Sequence, residues 1–307
     1  MLRFITIRFL QSIVAFFGIM VLVFFLVRLS GDPTVFLRST TSTPESIDLL
    51  RHKLGIDGSL GKQFWIYLKD YSKGDFGDSY TQQRSVIKMV EQALPNTLKL
   101  GIPSFFIGMV LALFLGVLAA TRRDSFFDNG VKFIAVLGQA LPGFWVAIMA
   151  VMIFSVRWRI LPAQGMNSLA NYVLPVGTMV FFMLPGMMRL VRSGMLDVLD
   201  SEYIKLARIK GLSENKVIWK HALRNALITP LTTAGMLFAG IVGGAVFTEN
   251  IFNWPGMGRL ALESTMGRDF PVVQTIALIV AIMVLGMNFL VDITYAYVDP
   301  QIRYQKS

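Results

Sequence analysis

The chain has 307 residues, 54% of them hydrophobic, and a mean hydropathy of +0.58, which is too high for a soluble protein of this length. It has no cysteine, which excludes disulfides and thiolate chemistry, and its two histidines, His52 and His221, stand too far apart for a usual zinc site. Its formal net charge of +10 is distributed by loop, which is typical of membrane topology signals rather than of nucleic-acid binding. We therefore expect a protein surrounded by membrane lipid, with no metal site and no nucleic-acid partner.

Six apolar runs approach the roughly 20 residues that a helix needs to cross the hydrocarbon core of a bilayer. They lie near residues 9–29, 98–121, 133–155, 172–189, 228–249 and 272–296. The first run follows Arg3 and Arg8 and lacks a small-residue cleavage site, so it is expected to be a retained helix rather than a signal peptide. The pattern predicts an all-α polytopic membrane protein with six transmembrane helices.

The lysines and arginines predict its orientation. They number 15 in the segments that would be cytoplasmic if the N-terminus is inside, and 4 in the two short loops on the opposite side. Both termini are therefore expected in the cytoplasm. The segment 31–97 has eight basic and eight acidic residues, and long loops cross membranes regardless of charge.

We divide the chain into an N-terminal transmembrane helix (1–30), an external segment (31–97), a five-helix core (98–296) and a cytoplasmic tail (297–307). The core includes a cytoplasmic loop at 190–227. In the external segment, Thr43-Pro44 is expected to begin one helix, the aromatic stretch Phe64–Tyr71 a second, and Ser85–Leu94 a third that ends at Pro95. Gly74 and Gly77 are expected in turns.

Prolines and glycines are expected to interrupt spans two to six. The interrupting residues are Pro103, Pro142-Gly143, Pro175, Pro185-Gly186, Gly235, Gly240, Gly243 and Gly244. Within a bilayer, neighbouring helices or a water-lined cavity must satisfy the backbone groups that such breaks free. Tight helix packing is one interpretation, and a substrate path lined by the breaks, with Gln139 and Pro142 as candidates, is the other.

Asp292 is the clearest ionisable residue inside a predicted span. It lies one helical turn after Asn288 and one before Tyr295, so the three polar groups share a face that must contact protein or water. This face either fixes the last helix by hydrogen bonding or belongs to a substrate path or gate.

The sequence offers no motif for catalysis. The run GIDGSLGKQ has Ile56 and Gln63 where a phosphate-binding loop needs glycine and a hydroxyl residue, and H-E-x-x-H and G-x-S-x-G are absent. Gly256-Met257-Gly258-Arg259-Leu260-Ala261 fits G-x-G-x-x-A, but no predicted strand precedes it. We expect no catalytic residues.

Residues 202–230 form a basic helix, glycine, helix element between two apolar spans. Tyr203, Ile204 and Ala207 lie on one face of the first helix, and Gly211 suits a left-handed cap. Ser213 is a plausible N-cap of the second helix. An element with this many local signals is expected to be rigid and to contact a partner.

This element resembles the cytoplasmic EAA loop of type I ABC-transporter permeases, with Glu202, Ala207 and Gly211 at the matching positions and Tyr203 in place of an alanine. The rest of the chain resembles the dipeptide, oligopeptide and nickel subgroup, and specifically the first of its two permease subunits. The motifs are Gly31-Asp32-Pro33, Gly74-Asp75-Phe76-Gly77-x-Ser79, Leu94-Pro95, HALRNAL at 221–227, Phe252-x-Trp254-Pro255-Gly256-x-Gly258-Arg259-Leu260, Arg268-Asp269-x-Pro271 and Asp299-Pro300-x-Ile302-Arg303-Tyr304.

The resemblance implies a type I ABC importer permease fold in the bacterial cytoplasmic (inner) membrane. Its partners would be a second homologous permease, two cytoplasmic ATPases and a periplasmic or extracellular solute-binding protein. ATP and magnesium would bind to the ATPases, and this chain would hold no cofactor. The implied ATPase-coupling residues are Glu202, Tyr203, Ala207, Gly211, Leu212, Ser213, His221, Arg224 and Asn225. Trp254, Pro255, Gly256 and Arg259 would contact the solute-binding protein.

Peptides are the cargo that the resemblance favours. Nickel chelates, glutathione, opines and antimicrobial peptides are alternatives within the same class of transporter. A stand-alone carrier or channel is a remote alternative, since it should show inverted repeats and more buried charge than Asp292 offers. An intramembrane enzyme would need a nucleophile and a base within the spans.

Overall fold

The structure is a computed structural model that describes residues 2–37 and 43–298. Every regular element among these residues is helical. The helices are α1 (Leu2–Leu29), α2 (Thr34–Leu37), α3 (Pro44–Lys53), α4 (Leu60–Ser72), α5 (Val86–Thr121), α6 (Phe126–Ala140), α7 (Gly143–Ala150), α8 (Ala170–Leu199), α9 (Glu202–Ile209), α10 (Glu214–Lys216), α11 (Leu223–Ala226), α12 (Ile228–Ile251), α13 (Met257–Met266) and α14 (Phe270–Val298). π-Helical turns at Val151–Arg157 and Val217–Ala222 extend α7 and α10. The predicted tail beyond residue 298 lies outside the described residues.

Four helical stretches are long and apolar enough to cross a membrane: Ile5–Leu29, Val86–Thr121, Ala170–Leu199 and Phe270–Ile293. Helices α6 and α7 form a further candidate span that is bent by 100°. Helix α12 coincides with the remaining predicted span and has 24 residues. The all-α polytopic class is therefore confirmed, while the count of six spans and the cytoplasmic termini stay predictions.

The structure confirms one of the predicted proline breaks and corrects others. Helix α6 ends before Leu141, whose backbone is extended, and α7 begins after Pro142, as expected for a residue that precedes proline. Helix α5, in contrast, continues through Pro95 and Pro103, and α8 continues through Pro175 and Pro185. Each proline removes one backbone hydrogen bond. The buried face on either side of it holds the helix together: in α8, Leu174, Val176, Met187 and Met188 are all buried.

The chain separates into two compact units. The first comprises Leu98–Trp254 with the C-terminal helix from Met287 on, and the second comprises Leu2–Thr97 with Pro255–Gly286. The change at residue 97 coincides with our boundary between external segment and core. The segment 255–286, which we assigned to the core, packs with the second unit.

The core of the first unit depends on close helix approach at glycines. A Cβ added to Gly138 of α6 would overlap the ring of Pro185 in α8, and one added to Gly116 of α5 would lie 2.8 Å from Val191 Cβ. Small residues at such positions let membrane helices approach closely. Gly240, one of the glycines predicted to interrupt α12, has no atom within 4 Å of its Cβ position.

The second unit packs the aromatic helix α4 on α1. Phe24 of α1 is fully buried, with ring centroids 5.1 Å from Phe64 and 5.3 Å from Tyr67. Tyr71 hydrogen-bonds the Thr275 hydroxyl at 2.9 Å, and burial raises the pKa of Tyr71 to about 12, so its phenol stays neutral. The helices that we expected at Thr43-Pro44 and Phe64–Tyr71 are therefore confirmed as α3 and α4.

Two sequence motifs meet in the second unit. The buried carboxylate of Asp269 accepts hydrogen bonds from the Ser79 hydroxyl (2.6 Å), the Thr81 hydroxyl (2.7 Å) and the backbone amides of Tyr80 (3.0 Å) and Thr81 (3.1 Å). Four charge-assisted hydrogen bonds hold this turn to the residue before α14. Gly74 and Gly77, which precede it, have φ of +77° and +71°, as expected for turns.

Candidate functional site

The 202–226 segment is the strongest candidate site, and it is built from α9, α10, a π-helical turn and α11. Gly211 connects the two halves with φ +78°, which confirms the left-handed conformation. Ser213 has the extended backbone of an N-cap, but its side chain makes no capping hydrogen bond. The predicted second helix is therefore real, though it switches from α to π to α along its length.

One face of the segment is buried in the first unit. Ile204 and Val217 are fully buried, and Ala207, at 9% exposure, lies beside them in the same cluster. The helices that receive them are α5 and α8, through Val117, Ala120, Val191 and Met195. Tyr203, which we placed on this face, is 43% exposed instead. The face of α9 thus consists of Ile204 and Ala207, which lie three residues apart.

Tyr203 has a different role in the structure. Its hydroxyl accepts a hydrogen bond of 2.9 Å from the Asn225 side chain, which links α9 to α11. Arg208 of α9 pairs with Glu214 of α10 at 2.8 Å. These two contacts bridge the halves on either side of Gly211. They link α9 to α10 and α11 and so hold the two halves together. Glu202 pairs with Lys205 at 2.7 Å, and this hydrogen bond raises the pKa of Lys205.

The other face of the segment is exposed, apolar and basic. Ile209 is 81% exposed, and Leu206 is 51% exposed. Leu212 and Trp219 also expose much of their side chains. The same segment has four exposed cations, Lys210, Lys216, Lys220 and Arg224. An apolar patch with a charged rim is typical of a protein-binding surface.

The segment also lies against α8 without intervening side chains. A Cβ on Gly194 would stand 2.9 Å from the carbonyl oxygen of Ala226. Only glycine permits this approach. A displacement of α11 therefore presses directly on the backbone of α8.

A cavity of about 360 Å³ lies elsewhere in the first unit, where α5, α7, α8 and α12 converge. It is lined by Ser104, Phe105, Gly143, Phe144, Thr178, Met179, Phe182, Met183, Met236, Leu237, Gly240, Ile241, Phe247 and Thr248. Among the residues that the structure describes, no charged side chain lines it. Gln139, Pro142, Asn288 and Asp292, our candidates for a substrate path, are not in its lining, so that role stays a prediction for them.

The structure corrects the surface role of Trp254. Its side chain is fully buried, in a cluster with Leu100, Val176 and Val180, and its ring meets Tyr172 edge-on at 4.8 Å. A side chain buried in this way has no surface to offer a partner protein. The sequence could not show this burial, because it depends on Leu100, Val176 and Val180, which are distant from Trp254 in the chain. The neighbours Asn253 and Pro255 are exposed.

Pro255, Gly256 and Arg259 do line a surface groove, in the second unit. The groove has a volume of about 490 Å³ and includes Arg84. The Asn96 side chain donates to the Pro255 carbonyl oxygen at 3.0 Å and so fixes the start of the loop. Arg259 pairs with Glu263 at 2.7 Å.

A sequence profile for "binding-protein-dependent transport system inner membrane component" matches residues 112–304, and the profile of its N-terminal companion matches residues 1–101. The chain belongs to this family. It is therefore a multi-pass inner-membrane permease of an ABC importer, which works with ATPase and binding-protein components and is not itself an enzyme.

Individual relatives cover nearly the whole permease. A peptide transport system permease protein of Brucella abortus (strain 2308) is 37% identical over 97% of this chain and 98% of its own length. The glutathione transport system permease protein GsiC of Escherichia coli (strain K12) is 36% identical over 99% of this chain and all of its own length.

Two solved structures share the fold. An amino acid ABC transporter crystallised with histidines aligns with a TM-score of 0.55 over 69% of the permease and 94% of its own chain, at 18% identity. The MetNI methionine ABC transporter in inward-facing conformations aligns with a TM-score of 0.58 over 69% and 97% of the two chains, at 18% identity. These alignments confirm the type I permease fold.

The permease contains one ion-pair cluster that sequence reasoning missed. The carboxylate of Asp128, at the start of α6, is fully buried and accepts hydrogen bonds from Arg192 of α8 (2.8 Å to Nη2), the Lys132 ammonium (2.8 Å) and the Asp124 amide (3.0 Å). We ended the fourth span at residue 189, so Arg192 was assigned to a loop, whereas α8 continues to Leu199. The available signal was Ser125 three residues before Asp128, which is N-cap spacing.

Proposed function

We propose that the permease carries peptides inward across the cytoplasmic membrane, driven by two ATPases and paired with a second homologous permease. An external solute-binding protein would deliver the cargo. The observation that carries this proposal is the 202–226 segment, which is buried on one face, apolar and basic on the other, and bridged into one body by Arg208–Glu214 and Tyr203–Asn225. In the proposed topology, with six spans and both termini in the cytoplasm, this segment lies on the same side of the membrane as the ATPases.

In this proposal, the exposed face of the segment sits in a groove of an ATPase. ATP and magnesium bind to the ATPases, whose closure on ATP displaces the segment. Because Ile204 and Val217 are packed between α5 and α8, and α11 abuts α8 at Gly194, those two helices move with it. The segment must be rigid to transmit this movement, because a flexible loop would deform instead of moving α5 and α8.

The peptide cargo rests on the relatives. One is named for peptide transport and another for glutathione, itself a small peptide. The groove at Pro255, Gly256 and Arg259 is the proposed contact for the solute-binding protein.

The docking of the segment can be tested by placing a charge on its exposed apolar face. Ile209→Asp changes a side chain that is 81% exposed, so folding should be unaffected while ATPase docking is lost. Leu49→Asp is the matched control, because Leu49 is an apolar residue of helix α3 that is 71% exposed. The measurement is copurification of the coexpressed ATPases and ATP-driven peptide uptake in proteoliposomes. Equal ATPase recovery with both variants would contradict the proposal.

A further inference from the structure

The cavity of the first unit suggests which cargoes the permease accepts. Its volume of about 360 Å³ is at the lower end for small-molecule sites, which run from about 300 to 1,000 Å³. It therefore suits one or two side chains rather than a whole oligopeptide. Gly143, the first residue of α7 after the break that follows α6, forms part of its wall. Irregular backbone at membrane depth is tolerated where it lines a cavity.

The cavity has few polar side chains, and two of its three hydroxyl groups already make hydrogen bonds within the chain. The Ser104 hydroxyl donates to the Leu100 carbonyl at 2.7 Å, and the Thr178 hydroxyl donates to the Pro175 carbonyl at 2.9 Å. A charged cargo group would thus find no counter-ion among the described lining residues and would lose its hydration. An unpaired charge in an apolar site costs several kcal/mol.

The apolar lining is large and adaptable. Three methionines, Met179, Met183 and Met236, line it together with phenylalanines of four helices. Methionine is unbranched and polarisable, so such walls accommodate apolar groups of different shapes. Phe247 and Met236, which are 64% and 59% exposed, are also among the lining residues.

We propose that this cavity receives an uncharged, apolar side chain of the peptide cargo, so that the permease favours peptides with apolar side chains over peptides with charged ones. The inference rests on the proposed function. It assigns selectivity to α5, α7, α8 and α12, in addition to any selectivity of the solute-binding protein.

A substitution at Gly240 tests most directly whether the cavity receives the cargo side chain. Gly240 lines the cavity and a Cβ at this position meets no atom within 4 Å, so the side chain added by Gly240→Leu begins in open space at the cavity wall. Gly177→Leu is the matched control: Gly177 lies within α8, is exposed, does not line the cavity and also has no atom within 4 Å of its Cβ position. Gly240→Ala, which adds a smaller side chain to the cavity lining, replaces Gly240→Leu if the leucine variant folds poorly.

The experiment uses the complete transporter in proteoliposomes, with the tripeptides Ala-Phe-Ala, Ala-Ala-Ala and Ala-Glu-Ala as competing cargoes. The wild type should take up Ala-Phe-Ala in preference to Ala-Glu-Ala. Gly240→Leu should lower the preference for Ala-Phe-Ala over Ala-Ala-Ala by about tenfold, which is the usual discrimination of an apolar pocket. Gly177→Leu should leave that ratio unchanged, and ATP hydrolysis should persist in both variants.

Several outcomes overturn the inference while leaving peptide import intact. One is equal wild-type uptake of all three peptides, and another is a Gly240→Leu effect that is the same for each peptide. A third is unchanged selectivity with less copurifying phospholipid in Gly240→Leu, which would identify a lipid chain as the occupant. Failure of the wild type to transport any peptide would instead contradict the proposed function.

Discussion

At the scale of single residues, Gly211 is the position where local chemistry matters most to function. Its φ is +78°, and no atom of the chain lies within 4 Å of its Cβ position, so a substitution there strains the backbone without a clash inside the permease. For a residue other than glycine that strain is about 1–2 kcal/mol, while asparagine tolerates the conformation better.

We predict that Gly211→Val uncouples ATP hydrolysis from uptake, because the two halves of the 202–226 segment can no longer keep their relative orientation. Gly211→Asn should stay close to wild type. The ratio of peptide imported to ATP hydrolysed measures the effect, at matched amounts of protein in the membrane. A valine variant with the wild-type ratio would show that the turn is not needed for coupling.

Asp128 is a second residue whose role is set by burial. Asp128→Asn leaves the Arg192 guanidinium, 18% exposed, without its carboxylate partner. Breaking a buried pair in this way should lower the free energy of unfolding by about 3 kcal/mol. Asp124→Asn, at a side chain that is 75% exposed, should have little effect. Thermal unfolding of the purified permease tests this, and equal melting temperatures of the two variants would contradict it.

Single residues were predictable from the sequence where their roles are local, and not where those roles depend on distant parts of the chain. Gly211 was predictable because a left-handed cap is a local property of the chain. The burial of Trp254 and the pairing of Asp128 with Arg192 were not, since each depends on helices distant in sequence. The tyrosine at 203 was misplaced because its hydroxyl has a partner in α11, which lies 22 residues away.

At the scale of elements, hydrogen bonds from the turn that contains Ser79 to Asp269 join two distant parts of the second unit. Asp269→Asn would replace one carboxylate oxygen by an amide group that cannot accept the hydrogen bonds now made there. We predict a loss of about 2 kcal/mol in local stability. Faster hydrogen exchange at the Tyr80 and Thr81 amides would report it.

Asp78→Asn is the control for that experiment, since Asp78 lies in the same turn but is exposed. If exchange at Tyr80 and Thr81 is as slow in Asp269→Asn as in Asp78→Asn, the carboxylate does not fix the turn. The sequence shows both the motif that includes Ser79 and the motif that includes Asp269. It does not show that they are in contact, because 190 residues separate the two.

Helix boundaries illustrate what sequence rules can and cannot decide. The start of α5 at Val86 agrees with the expected helix, and the stop at Pro95 does not. Proline costs about 3 kcal/mol inside a helix. On either side of Pro95, Val90, Ala93 and Leu100 are buried, and that packing is invisible to a local rule. At Pro142 the helix does break, and the preceding Leu141 takes the extended backbone that proline favours.

At the scale of the whole molecule, orientation is the prediction that remains open. Because the chain has no native cysteine, single cysteines can report it. Asn215→Cys should react with a membrane-impermeant maleimide only after the membrane is opened, and Ser72→Cys should react in intact cells, since both residues are exposed. The opposite labelling pattern would reverse the topology. Ser79 is unsuitable for this purpose, because it is only 2% exposed.

The fold class, the positions of the apolar spans and the family were accessible from sequence because hydropathy and motifs are properties of contiguous residues. The cavity was not, because its walls come from four helices, and the residues that face it are apolar like those that face lipid. Gly143 and Gly240 of its lining were among the residues expected to interrupt the spans, whereas Ser104 and Thr178 carry no sequence signal that distinguishes them from other residues of their spans.

The central claim is that the exposed face of the 202–226 segment contacts an ATPase, and one crosslinking measurement tests it most directly. A single cysteine at Ile209, which is 81% exposed, is treated with a short bifunctional reagent in membranes that contain the assembled, active transporter. Leu49→Cys, at a residue that is 71% exposed, serves as the control. The account predicts an adduct with an ATPase subunit from position 209 and none from position 49. An active transporter that gives no ATPase adduct at 209, or one at 49, would contradict it.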